Sequence, residues 1–219
     1  EDISNYMDNL PKGKVDGRIK ASYKGGEYRQ DKELEQIHLV LGFEGLDYFD
    51  EDYYALKIYS AIMGAGMSSR LFQEIREKRG LVYSIHAYAR SFYDAGTFQV
   101  VAGTGEKQIK ELLPVLCDEL QRAPKNLTEK EIEKSKAQLK SATLMSREST
   151  MSNASVGVHQ IFTKGKLIDI KETLEKIQNV SKSSIERVAK KLLASKPTIA
   201  SIGPIKELES LDKIIKRLN

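Results

Sequence analysis

The chain has 219 residues, 40% hydrophobic and 30% charged, with 35 basic and 31 acidic side chains and a net charge of +4. That length and apolar content suffice for a sizeable core and exclude an intrinsically disordered protein. No run approaches the roughly 18 apolar residues of a membrane span, no signal-like apolar stretch precedes the body, and acids interspersed with the bases argue against a nucleic-acid-binding stripe.

Residues 1–16 are polar and contain Pro11 and Gly13, which reads as a tether leading into a single domain over 17–219. Because the chain opens on Glu1, the expectation is a processed protein or a piece of a longer one. Arg18–Tyr23 and Glu27–Arg29, separated by Lys24-Gly25-Gly26, predict a hairpin or a bent strand. Gln36–Glu44 predicts a strand with Ile37, Leu39, Leu41 and Phe43 on one face and His38, Gly42 and Glu44 on the other. Asp50-Glu51-Asp52 then brings acids to the positive end of a helix. Its apolar residues recur at helical spacing through Tyr54, Ile58 and Ile62, and Gly64-Ala65-Gly66 ends it. Ser68 or Ser69 is placed to cap the next helix, which buries Leu71, Phe72 and Ile75 and stops at Gly80 in a left-handed conformation. Strands Val82–Arg90 and Gly96–Ala102 follow.

The second half reads as mostly helical. Ile109, Leu112, Leu113, Leu116 and Leu120 make one apolar stripe, which Pro114 should bend or restart. Cys117, the only cysteine, lies on that stripe, so no intrachain disulfide exists and the thiol reads as a small buried hydrophobe. A capping box at Thr128-Glu129-Lys130-Glu131 opens a long helix carrying Ile132, Leu139, Ala142 and Met145. Weaker helices cover Ser155–Thr163, Lys171–Gln178 and Ser184–Ala194. Strand Thr198–Ile202 returns to close the sheet before a terminal helix with Leu211, Ile214 and Leu218. Strands joined by short turns, then runs of helices, predict an α+β fold: an α/β roll with a mostly antiparallel sheet backed by helices.

Few residues look like chemistry. Gly64-Ala65-Gly66-Met67-Ser68-Ser69 lacks the lysine and spacing of a phosphate loop and reads as a tight corner between helices. His38, His86 and His159 have no carboxylate at helical ligand spacing, so no metal site is expected. The bases in Arg76-Glu77-Lys78-Arg79 all suit a helix C-terminus. Tyr83, at the mouth of the next strand, singles out Arg76: a phenol beside a guanidinium makes a fork for a carbonyl or carboxylate.

The block Gly66–Tyr88, GMSSRLFQEIREKRGLVYSIHAY, resembles the strongest signature of the C-terminal half-domain of the insulinase/pitrilysin zinc metallopeptidases, in their mitochondrial processing peptidase branch. His38–Gly45, Asp94–Thr104, Thr128–Lys140 and Ile199–Pro204 agree in order, so the likeness covers nearly the whole chain. The resemblance implies a domain that pairs with an N-terminal half carrying an inverted zinc motif, the two closing on a peptide or unfolded polypeptide. That zinc motif is absent here, so zinc belongs to the N-terminal half, and the isolated chain is expected to be inactive. The family's Arg and Tyr, seven residues apart, match Arg76 and Tyr83 and imply substrate binding and transition-state support. Ala65 departs from a frequent Gly, and the loop is shorter than the glycine-rich loop of some relatives. The resemblance allows two other arrangements: a homodimer, and a non-catalytic structural subunit like the respiratory-complex core proteins. It fits either a bacterial cytoplasm or a mitochondrial matrix.

Overall fold

Strict alternation along Ile37–Glu44 builds strand β2, in which Ile37, Leu39, Leu41 and Phe43 are fully buried while His38 and Glu44 face solvent. The computed structural model describes Gly17 and residues 19–219. Within it β2 pairs antiparallel with β4 (Gly96–Thr104) and with β5 (Thr198–Gly203). β4 pairs antiparallel with β3 (Ser84–Ser91), and β5 pairs parallel with β1 (Gly26–Asp31). The sheet order is β1-β5-β2-β4-β3.

The buried face of that sheet meets a helical layer. Helix α1 spans Tyr53–Gly64, a π-helical segment covers Phe72–Glu77, and α2 spans Ile109–Arg122. Then come α3 (Glu129–Met145), α4 (Thr150–Lys164), α5 (Ile170–Gln178), α6 (Lys182–Ala194) and α7 (Leu211–Leu218). Phe43, Phe98 and the buried Tyr59 ring centre the core, with centroids 6.3 Å and 5.4 Å apart for the Phe43–Phe98 and Tyr59–Phe98 pairs. Leu112, Leu116, Ile185 and Ile214 are fully buried against them. The mostly antiparallel sheet with its helical backing is the α+β roll that the sequence predicts.

Helix α1 also covers the outer edge of β3. A Cβ on Gly64 would stand 1.9 Å from the Ala87 nitrogen, so the helix can close on the strand only because this position has no side chain. Two side chains of α1 satisfy strand carbonyls that would otherwise lack partners: Ser60 Oγ donates to Ala87 O and Lys57 Nζ to Ala89 O, both at 3.2 Å.

The structure corrects several expectations. Tyr23 belongs to no strand; its hydroxyl contacts Thr198 Oγ1 (2.7 Å) and donates to Gly42 O (3.1 Å), so the segment crosses the sheet instead of forming a hairpin. The expected tether over 1–16, and Arg18, lie outside the described residues. β5 lies inside the sheet, between β1 and β2, and does not close an edge. α2 runs without interruption through Pro114, because the bond lost at the proline is outweighed by burial of Leu112, Leu113, Leu116 and Cys117 on either side. In α3 the capping box forms as expected, but Ala142 and Met145 are exposed. Ser69 caps no amide with its hydroxyl, which donates to Gly66 O at 2.8 Å.

The strand residues of alternate parity form the other face of the sheet. Alternation places Gln30, Ile202, His38, Gly103 and Ser84 in one row across it, and Tyr28, Ala200, Val40, Val101 and His86 in the next. Tyr28 and His86 are exposed at the ends of that second row, with the half-exposed Ala200, Val40 and Val101 between them.

Candidate functional site

The segment from Leu71 to Ser84 wraps the end of the sheet where β3 begins. Its helical part is wider than an ordinary α-helix. Lys78 N–H bonds Gln73 O, five residues back, at 3.0 Å, which is the mark of a π turn. Such turns recur at functional positions because they displace one side chain from the regular helical surface. Phe72 and Ile75 are buried beneath it and Gly80, at φ +62°, reverses the chain. The reversal is closed by Gly80 N–H to Arg76 O and Leu81 N–H to Ile75 O, both 3.0 Å.

Those bonds fix the backbone on both sides of the pair the sequence singles out. Tyr83 N–H donates to Gly103 O at 2.8 Å, and Thr104 Oγ1 donates to Leu81 O at 2.6 Å. Leu81 and Val82 are buried, yet the Tyr83 side chain is 63% exposed. Its hydroxyl lies over Gly105, 3.8 Å from where a Cβ on that residue would stand. Arg76 is exposed too, its guanidinium carbon 4.8 Å from the centre of the Phe72 ring.

The neighbouring bases are engaged otherwise. Lys78 Nζ and Arg79 Nη1 close on Glu74 at 2.7 Å and 2.6 Å, and their bonds hold that carboxyl down to about 2. Arg76 takes no part. Among the described residues its guanidinium has neither an ion pair nor a hydrogen bond, and the Tyr83 hydroxyl likewise has no hydrogen-bond partner. The two side chains are not bonded to each other, so both keep donors available for an external acceptor.

Arg70, which sequence reasoning missed, anchors this arrangement. It bonds both carboxylate oxygens of Glu131, at 2.6 Å and 2.8 Å, and the Asn126 carbonyl at 2.9 Å, tying the start of the helical segment to α3. The contact spans about sixty positions of chain, so no local pattern could reveal it. Beside the site, at the end of the open face, Gln36 and Ser84 side chains crowd over Gly103, and Gln36 Nε2 approaches His38 Nε2 at 3.5 Å.

The remaining candidates resolve simply. The loop from Gly64 to Ser69 is a corner held by its own bonds, including Ser69 N–H to Gly66 O at 3.2 Å and Gln73 Nε2 to Met67 O at 2.8 Å. Ala65 sits at φ −94°, a conformation open to any residue, so its departure from glycine costs nothing. His38 and His86 share the open face with β4 between them, and His159 stands apart on α4. Among the described residues no group of three or more His, Cys, Asp or Glu could hold a metal ion. Cys117 is fully buried, and burial pushes its thiol up to about 12, which leaves it inert. Among the described residues no helix is long and apolar enough to cross a membrane.

The fold is a helix-backed, mostly antiparallel α+β roll, and comparison with known proteins gives its family. Residues 2–139 match the family described as Peptidase M16 inactive domain. The chain is 33% identical over 205 residues to an uncharacterized zinc protease of Rickettsia bellii, covering 93% of this chain and 50% of that protein. It is 30% identical over 213 residues to the mitochondrial-processing peptidase subunit alpha of Caenorhabditis elegans, covering 88% of this chain and 41% of that one. A solved M16 inactive domain from Pseudomonas fluorescens superposes with a TM-score of 0.74 at 25% identity, over 94% of this chain and 50% of that one. A chain of complex III2 from Candida albicans shares the fold, with a TM-score of 0.81 at 21% identity over 94% of this chain and 53% of that one. The chain belongs to the peptidase M16 family, to its inactive domain. It spans about half the length of the relatives it matches.

Proposed function

We propose that this chain is the C-terminal, substrate-binding half of a zinc endopeptidase of the processing-peptidase kind, with residues 17–219 as one domain. It completes a peptide chamber with a zinc-bearing N-terminal half. One observation carries the reading: Arg76 and Tyr83 are exposed on a pinned backbone with their donors unengaged, while Lys78 and Arg79 beside them share the carboxylate of Glu74. Of the three bases at this helix end, Arg76 is the one without a carboxylate partner. The relatives' description as zinc proteases, and their greater length, support the pairing with a second half.

Among the described residues no group of three or more His, Cys, Asp or Glu could hold zinc, and on this reading the metal and the water it activates come from the N-terminal half. This chain's own chemistry is binding. Peptide cleavage develops negative charge on the scissile carbonyl oxygen, and a fixed phenol that donates to it stabilises that charge where water is excluded. The guanidinium donates to a neighbouring peptide carbonyl and holds the chain in register. The test pairs the domain with its N-terminal half and compares wild type with Tyr83→Phe on an unfolded peptide. A fall in kcat on the order of 10²–10³ is expected, with KM little changed. An unaltered rate would remove Tyr83 from the mechanism.

The fold likeness to a complex III2 chain supports a second reading, a structural subunit with no turnover. Under that reading the paired halves bind each other but cleave no peptide, in wild type and variant alike.

A further inference from the structure

Away from the Arg76–Tyr83 site, a cavity of about 820 Å³ opens between the start of α1 and helices α4, α5 and α6. Its size is that of a site for a small organic molecule. Tyr48, Tyr53 and Tyr54 form one aromatic wall, with ring centroids 6.0 Å apart for Tyr48–Tyr53 and 5.1 Å for Tyr53–Tyr54. Across from them α4 presents Val156 and His159, the imidazole meeting the Tyr48 ring edge-on at 4.8 Å. α4 has no buried residue of its own, so the space beneath it is not filled by its side chains.

The charges around this cavity do not cancel evenly. Asp52 is held by two bonds from Arg187, at 2.8 Å and 2.7 Å, and Asp50 pairs with Lys191 at 3.1 Å. Lys176 pairs with Glu172 at 2.6 Å, and the remaining acid, Glu51, is exposed to water. Lys164 is different. Its ammonium donates to the Tyr48 carbonyl and lies 4.5 Å from the centre of the Phe49 ring, and among the described residues no carboxylate reaches it within ion-pair distance. Burial, and then repulsion from Lys176, pull its pKa down, and the more distant carboxylates of Asp47 and Glu172 offset this only in part.

We propose that this cavity is a binding site for an apolar or aromatic organic acid of small-molecule size, its body against the tyrosine wall and its carboxylate on Lys164. The ammonium has one donor on Tyr48 O and two left over, and a partly desolvated setting strengthens the bond it would make to a carboxylate. The site does not depend on the peptidase reading.

The test is calorimetric titration of the full chain with 2-naphthoate and with its neutral isostere 2-naphthamide. The acid should bind at least about tenfold more tightly than the amide, the difference that one charge-assisted bond supplies. Lys164→Met, which keeps the aliphatic stem, should bring the acid to the affinity of the amide. Val156→Trp should weaken both by filling the cavity. Equal affinity of acid and amide in the wild type would overturn the proposal, as would absence of binding at millimolar concentration. So would a preference for the acid that survives in Lys164→Met.

Discussion

At the scale of single residues, three bases, Arg76, Lys78 and Arg79, suit the same helix end, the sequence singles out Arg76 by its relation to Tyr83, and the coordinates show how its surroundings differ from those of the other two. The distinction comes from Glu74, which reaches Lys78 one turn on and Arg79 one residue further, but not Arg76. Arg76 and Tyr83 were legible as candidates because a phenol and a guanidinium bracket a turn. That Tyr83 would be exposed between the buried Val82 and Ile85 was not, since simple alternation would place it on the same side as Ile85. Gly64 shows a dependence of another kind. The sequence presents it as the end of a helix, whereas the structure presses its α-carbon against backbone atoms of Ala87 that cannot turn aside. Gly64→Ala should therefore destabilise the domain by about 3 kcal/mol, despite the better helix propensity of alanine, as read by chemical denaturation. A neutral or stabilising result would mean that α1 can shift away from β3.

Between elements, the tie from the π-helical segment to α3 depends on an ionised Glu131. Burial raises the pKa of that carboxyl, but the bonds from Arg70 and Thr128 outweigh it and bring the group down to about 2. A folded-state pKa below the unfolded one gives stability that is complete above about pH 4.3 and lost as pH falls towards 2. Glu131→Gln should cost roughly 2 kcal/mol at neutral pH. It should also flatten the decline in melting temperature between pH 5 and pH 2.5, leaving the part that Glu74, likewise held to about 2, contributes. A decline as steep as in the wild type would show that the Arg70–Glu131 tie adds nothing to stability. The capping box that orients Glu131 was readable from four consecutive residues, and strands β2 to β4 from their alternation. The position of β5 was not readable. Its partners β1 and β2 lie more than 150 residues upstream, and a short apolar run carries no mark of which strands it joins or in which direction.

Across the whole molecule, burial is uneven. β2, α1, α2 and α6 each supply several fully buried side chains, and β4 buries Phe98 and Val100, whereas α4 supplies none. Native-state hydrogen exchange should therefore be slowest at Leu39, Leu41 and Val100 and faster along α4 by orders of magnitude. Uniform protection would contradict this division. The same unevenness explains which parts of the fold sequence patterns reached: elements with a continuous buried stripe were placed to within a few residues, and Tyr23 escaped because its role is one polar bridge. That bridge has a consequence for anything resting on the exposed side of the sheet. By fastening the incoming chain over Gly42 and Thr198, Tyr23 fences off one margin and leaves a strip that crosses all five strands. At about 4.8 Å between strands, the strip is roughly 20 Å long, the reach of about six extended residues. A polypeptide laid along it would thus be gripped over a hexapeptide-sized footprint at any moment, however long its tails.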